Sequence, residues 1–406
     1  MDRRTAKHNQ RMLVLEIFWA AIHIACLAFN VAFLIRLGGS NLHISLLASG
    51  PALVIAISTL PFAIMMERTQ RRREWIVGSL CGARLLYGLF IFVPWIPGDA
   101  ASVAVAIVLM LNLGVSLFSA GFLPLLAEAV PIEQRARLFA TRNVVLGITV
   151  ALTTFVLGRW LDAAPFPFNY QLLYTLSLVT SLLSTFYVAK MVFPARVAPP
   201  ASAKRGIAWS QIARERPFVN MTLNSLIFLA PFWMSAPLLP IYFVRELGAT
   251  EGWLGVYAGL VAVGAVGGSL LGQRLIDRFG ARRVLLRVTF VSAICYLLIG
   301  AIPQLAVILG FAILLGVANA AVDLCHLNVL YEVCPADRRA MFLGAHTALL
   351  NVGAFVFPLL IAPIVSASSA QMLVVGLFGL RLVGALLFVF NRVDPEQETA
   401  PVTTGA

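Results

Sequence analysis

The sequence predicts an all-α membrane protein of twelve transmembrane helices in two pseudo-symmetric halves of six. Three observations carry that prediction. Only 12% of the 406 residues are charged and the mean hydropathy is +0.90, whereas soluble domains carry roughly 25% charged residues. The apolar residues gather in twelve stretches, each close to the roughly 20 residues a helix needs to cross a bilayer. The second half of the chain repeats features of the first at an offset of 204 to 210 residues.

The first stretch, 12–35, follows the basic start MDRRTAKHNQR. It is too long for the apolar part of a signal peptide, and no small-x-small cleavage pattern follows, so it reads as a retained span. Spans 2 to 6 are 42–66, 75–96, 102–127, 140–162 and 170–193. Spans 7 to 12 are 218–244, 252–273, 284–302, 305–331, 340–364 and 371–391. Proline breaks span 7 at APFWMSAPLLP and glycine crowds span 8, GVYAGLVAVGAVGGSLLG; membrane helices tolerate both. In span 8, Gly264, Gly268 and Gly272 form a stripe that lets another helix approach closely. It reads either as a surface on which one half rocks against the other or as static packing. The short alternating strands of a membrane barrel are not seen.

With the N-terminus inside, 25 of the 30 Lys and Arg fall on the inner side, Arg142 among them. Arg36, Arg159 and Arg245 fall outside, and Arg84 and Arg381 lie mid-span. The positive-inside rule then puts both termini in the cytoplasm, and the net charge of +12 faces anionic lipid. Charges spread over many short loops do not make a nucleic-acid surface. The five cysteines, at 26, 81, 295, 325 and 334, are odd in number and irregular in spacing, so neither a disulfide framework nor a metal site is expected.

The longest loop, 194–217, divides residues 1–193 from 218–393, and 394–406 reads as a short disordered tail. Within the loop, IAWSQIARER reads either as an interfacial helix with Trp209 and Ile212 facing lipid or as plain linker. The halves echo each other: FLIRLGG (33–39) with YFVRELGA (242–249), and LAEAVPIEQRARLFA (126–140) with LYEVCPADRRAMFLG (330–344). Duplicated six-span halves are one way to build a transporter around a midplane site.

The segment GQRLIDRFGARR (272–283) resembles the G-x-L-x-D-R-x-G-R/K-R loop of the major facilitator superfamily. Gly272, Asp277, Arg278, Gly280, Arg282 and Arg283 match it, and MERTQRRR (66–73) is a degraded copy with Glu67 in place of Asp. The P-x-x-x-R loops after spans 4 and 10 are similar to that family too. The resemblance covers nearly the whole chain and is silent on substrate. It implies that spans 1, 4, 7 and 10 line a cavity, that 2, 5, 8 and 11 form gates, and that the rest sit outside. It also implies a cytoplasmic gate lock at Asp277, Arg278 and Arg282, with Glu67 and Arg68 as a weaker copy; the alternative is that these Arg only enforce topology. Two features of drug/proton antiporters are absent: an Arg in span 4, and a G-x-x-x-G-P-x-x-G-G run in span 5, which has Gly147 and Gly158 without Gly-Pro.

An ionisable residue inside a span is a functional candidate by default. Glu16, His23 and Asn30 recur every seven residues and share one face of span 1, flanked by Trp19. Span 4 carries Asn112, Ser116 and Ser119; span 7 carries Asn224; span 10 carries Asn319, Asp323 and His326. These stripes fall on the helices that the resemblance assigns to the cavity, although polar stripes also glue helices together. Phe29, Phe122, Phe228, Phe232 and Trp233 would add bulk to the cavity wall. Glu16 reads as a proton site or as an interfacial group. Asp323 and His326 can meet on one turn as a proton-responsive pair. Structural pairs of Arg84 with Glu16 and of Arg381 with Asp323 are the alternative.

No P-loop, HExxH or Gly-x-Ser-x-Gly elbow is present, so no enzyme activity and no cofactor are expected. The expected protein is a monomeric secondary transporter of a bacterial-type inner membrane, with a small-molecule substrate, protons and membrane lipid as partners. Proton-coupled export of an amphipathic organic molecule is the leading expectation. Proton-coupled uptake of a small polar solute is the alternative, and a transporter-like sensor or scaffold a remoter one. None of the four lining spans carries a mid-cavity Arg or Lys, so a strongly anionic substrate is not expected.

Overall fold

The computed structural model describes residues 3–128, 130, 132–192, 212–334 and 339–391, and every described span is helical. Span 1 runs Arg3–Leu27, breaks for two residues, and resumes as Asn30–Arg36. Spans 2 to 6 are Asn41–Arg68, Arg72–Gly88, Ala100–Glu128, Ile132–Ala163 and Phe168–Ala189. Spans 7 to 12 are Arg216–Ile241, Glu251–Phe279, Ala281–Ala301, Leu305–Val333, Arg339–Ala367 and Ala370–Phe390. All twelve are long and apolar enough to cross a membrane.

Helices outrun the apolar stretches where polar helix formers continue them. Span 5 begins at Ile132 through EQRAR, and span 8 continues through QRLIDRF to Phe279. Gly280 stops span 8 with φ +82° and ψ 148°, a conformation only glycine adopts without strain. Residues 194–211 of the central loop and the tail 394–406 lie outside the described residues. Ile212 is described, and it corrects the lipid-facing expectation: it is buried in a core with Phe218 and Phe342.

The helix packing repeats. Span 1 packs on 5 and 6, 2 on 4, and 3 on 4 and 6; span 7 packs likewise on 11 and 12, 8 on 10, and 9 on 10 and 12. The two sets meet through spans 2 and 11 and through spans 5 and 8, an exchange that a two-fold axis preserves. Individual contacts repeat as well. Glu16 and Arg142 bond between spans 1 and 5, as Thr222 and His346 do between spans 7 and 11. Tyr87 donates to Asn30, and Tyr296 meets Ser235 at the equivalent place.

The buried apolar residues form three clusters, and their distribution is unequal along the bundle. At the end far from the termini, one core joins both sets of spans, from Phe33, Tyr87 and Tyr174 to Tyr242, Phe243 and Tyr296. At the near end there are two separate cores. One runs from Leu13 to Met191 within spans 1–6, and the other from Ile212 to Phe388 within the second set.

The glycines of span 8 divide by neighbour. A Cβ on Gly268 would lie 2.7 Å from the Cα of Val317, and one on Gly272 3.4 Å from the Cα of Ala321, both on span 10. The stripe Gly264, Gly268 and Gly272 therefore packs inside its own half, which corrects its reading as a surface between halves. The row that meets span 5 is Gly252, Gly255 and Gly259, facing Gly158, Thr154 and Ala151.

Candidate functional site

A cavity of about 510 Å³ opens between spans 1, 2, 3 and 4, with Ala236 of span 7 at its edge. Of the expected cavity and proton-site residues it gathers His23, Asn30, Asn112 and Ser119. The seven-residue spacing put His23 and Asn30 on one helix face, and both do line the void. His23 Nδ1 bonds the Ser177 hydroxyl at 2.7 Å, and its ring meets Tyr87 edge-on at 5.0 Å. Asn30 Oδ1 accepts from Tyr87 at 2.7 Å and from Tyr174 at 3.3 Å. Asn112 donates to the Val108 carbonyl one turn back at 2.7 Å.

The same cavity is lined by Arg84 of span 3. This corrects the expectation of a wall without a cation, which rested on assigning span 3 to the outside. Arg84 does not pair with Glu16 either. Glu16 accepts from Arg142 Nη1 at 2.7 Å and from Ser184 at 3.4 Å, with both ion-pair partners almost fully buried. Arg142 also donates to the Leu13 carbonyl. Arg142 is thus a buried partner inside span 5 and not an inner-loop charge, and Glu16 is neither interfacial nor in the cavity. Its position early in span 5 hid this role, because hydropathy cannot tell a helix start from a loop.

Several expected cavity residues lie outside this wall. Ser116 faces Ser58 of span 2 at 2.7 Å. Trp19 packs edge-on against Phe18, and Trp233 stacks on Phe357. Asn224 is fully buried and bonds Asn391 and the Leu387 carbonyl. Phe228 lies beneath the Arg381 guanidinium at 4.3 Å. Asn319 accepts from Arg381 at 3.1 Å and from Ser292 at 3.1 Å.

Neither expected partner of Asp323 is in place. Arg381 is 1% exposed and spends its charge on Asn319 and on the faces of Phe228 and Tyr296. His326 bonds Ser225 at 2.7 Å and lies 5.3 Å from the ring of His346. Asp323 is exposed on span 10 and makes no hydrogen bond or ion pair with a described residue.

At the far end, side chains reach across between the two sets of spans. Arg36 grips Glu251 with Nε to Oε1 at 2.7 Å and Nη2 to Oε2 at 2.9 Å, and Tyr170 donates to Oε1 at 3.4 Å. Arg245 donates to Asn41 Oδ1 at 2.6 Å and to the Gly39 carbonyl at 3.0 Å. Thr250 donates to Asp162 at 2.8 Å. The two Arg contacts form one clasp made twice. Arg36 ends span 1, Arg245 lies in the π-helical turn Tyr242–Glu246 that continues span 7, and each partner begins the second span of the other half. Glu251 and Asp162 had not been singled out. The signal was in the repeat: Arg36 aligns with Arg245 at an offset of 209, and Asn41 aligns with Glu251 at an offset of 210. At the near end, Asp277, Arg278 and Arg68 are exposed and Arg282 is half-buried, while the Glu67 side chain lies outside the described residues.

The family model described as Major Facilitator Superfamily matches residues 12–234 and again 221–405. A comparison with curated protein sequences found no match. The fold is similar to a point mutant of the nucleoside transporter NupG, with TM-score 0.74, 11% identity, and coverage of 95% of this chain and 99% of that one. It is also similar to a bacterial homologue of the human lysosomal transporter Spinster in an inward-facing, occupied conformation, with TM-score 0.73, 12% identity, and coverage of 96% and 97%. Likeness at such identities shows a shared fold, and the two family matches span nearly the whole sequence. The chain belongs to the major facilitator superfamily.

Proposed function

We propose that the chain is a secondary active transporter working by alternating access, and that the conformation described here is closed at the far end. The observation that supports this is the unequal core: one shared core and a double clasp at the far end, and two separate cores at the near end. A two-fold arrangement with one end joined has an equivalent arrangement with the other end joined, and passage between them carries a bound molecule across. In this reading the near end and both termini lie in the cytoplasm of a bacterial-type plasma membrane, which the excess of Lys and Arg in the near-end loops supports, and the far end faces outward. Tags on either terminus should then label only after permeabilisation.

The cavity wall is mainly apolar with a few polar groups, which fits an amphipathic organic molecule. Asp323, an intramembrane carboxylate that makes no hydrogen bond or ion pair with a described residue, is the proton carrier in this reading, and export driven by the proton gradient is the resulting direction. Reconstituted protein should show counterflow of substrate without an energy source, and an imposed pH gradient should drive net movement. Absence of counterflow with a ligand shown to bind would overturn the transporter reading; indifference to the pH gradient would remove the proton.

A further inference from the structure

We propose that the guanidinium of Arg84 is an anion-binding subsite of the cavity, and that the ligand is an amphipathic molecule with one carboxylate at the end of an apolar body. That the ligand is also carried across the membrane rests on the transporter reading above.

The charge balance around the cavity leads there. Arg84 is the charged residue of its wall, and the wall contains no acid. The acid on the neighbouring face of span 1, Glu16, is held by Arg142 at 2.7 Å and by the Ser184 hydroxyl at 3.4 Å. Glu16, Arg142 and Arg84 together therefore leave one positive charge uncompensated. Arg84 Nε is sealed from solvent, and among the described residues it has no acceptor and Arg84 has no ion-pair partner. A guanidinium offers five N–H donors and stays charged. An unpaired charge within a span is costly, and such residues mark ligand pathways by default.

Arg381, on span 12, is enclosed by protein instead of facing a void, although its Nε and Nη1 also have no acceptor among the described residues. Arg381 has an amide oxygen at 3.1 Å, an aromatic face at 4.3 Å and almost no exposure. Arg84 lacks all three and borders a void. Asn30 supplies a second donor. Its oxygen accepts from two tyrosine hydroxyls, and its NH₂ group, on the same wall, makes no hydrogen bond with a described residue. Apolar residues such as Leu27, Leu47 and Val108 surround these groups, so a fully polar anion would lose hydration without compensation. A volume of about 510 Å³ suits a ligand of drug-like size.

The test uses purified, full-length protein in detergent and a series of ω-phenylalkanoates of increasing chain length. Each is compared with its neutral amide and with the matching amine, at a pH where the acid is ionised. Binding is read as a rise in Tm with concentration. The acids should stabilise the protein, the amides should bind at least about tenfold more weakly, and the amines should not bind. Arg84→Gln should erase the preference for acid over amide, and Arg84→Lys should keep part of it. Equal binding of acid and amide, no stabilisation by any acid, or a preference that survives Arg84→Gln overturns the proposal. If Arg84→Gln does not fold, the comparison of acid with amide on the unaltered protein decides. Acid binding without counterflow would leave the subsite standing and refute the transporter reading, and counterflow of neutral amphiphiles without acid preference would do the reverse.

Discussion

Replacing Arg36 by Gln should release the far end of the bundle. The side chain of Arg36 is 55% exposed and that of Glu251 is 7% exposed, and two parallel hydrogen bonds of 2.7 and 2.9 Å join them. A fully buried pair costs several kcal/mol to break, and an exposed one less than about 1 kcal/mol. This pair is buried on one side only, so solvent screens part of the attraction and about 1–2 kcal/mol is expected. That shifts the ratio of far-closed to far-open molecules by about 5- to 30-fold. The exposure difference also predicts an asymmetry. Arg36→Gln strands a buried carboxylate with only Tyr170 beside it, whereas Glu251→Gln strands a guanidinium that water already reaches. The first substitution should therefore open the far end more than the second. Spin-label distances between the tips of spans 1 and 8 report the population directly, and the exchanged pair Arg36→Glu with Glu251→Arg should recover part of the closed state. Unchanged distance distributions in a folded Arg36→Gln protein would refute the reasoning, and equal effects of the two single substitutions would refute the burial argument within it.

Arg142→Leu leaves Glu16 buried and unpaired and should cost roughly 3–5 kcal/mol, seen as a large fall in Tm in detergent. The double variant Glu16→Leu with Arg142→Leu should regain most of it, and a single variant that melts normally would refute the pair's role. Gly255→Val should cut transport at least about tenfold, because its Cβ meets the Thr154 carbonyl and lies 3.2 Å from the Cα of Gly158. Gly267→Val, where a Cβ meets nothing within 4 Å, should leave transport unchanged. Asp323→Asn should abolish movement driven by a pH gradient and spare energy-independent exchange; pH-driven uptake or release at the original rate would contradict it. Asp277→Asn should enrich the far-closed state further, measured as a longer distance across the near end.

The spans were legible because bilayer thickness imposes a length on apolar runs, and eleven of the twelve ranges fall inside the observed helices to within a few residues, while the third, 75–96, outruns the α-helix that ends at Gly88 into two short 3-10 turns. Helix ends were less legible, since the charged or polar Glu133, Gln134, Arg135 and Arg137, and Gln273, Arg274 and Asp277, interrupt the apolar runs yet continue the helices. The polar face of span 1 was readable from its spacing alone, and His23 and Asn30 reached the cavity. Arg84 was misplaced because a ranking of helices into inner and outer ignores how far a long side chain reaches. Asp323 and His326 are adjacent on the helix surface, but each side chain takes its surroundings from other helices. Ser225 of span 7 captured His326, and Asn319 with two aromatic rings captured Arg381 before it met Asp323. Local spacing states which groups are near one another and leaves the choice of partner to tertiary packing.

The single core at the far end gives the conformational cycle a thermal signature. Opening that end wets the aromatic surface of Phe33, Tyr174, Tyr242 and Phe243, while the near end that closes in exchange carries charged helix ends such as Asp277 and Arg278 in the last turn of span 8. Exposing apolar surface and covering polar surface both raise heat capacity. The equilibrium between the two states should therefore curve with temperature, and cooling should favour the outward-open form as the drive to keep the aromatic plug dry weakens. A cell in the cold would then hold more of its copies facing outward, with no change in substrate or proton gradient.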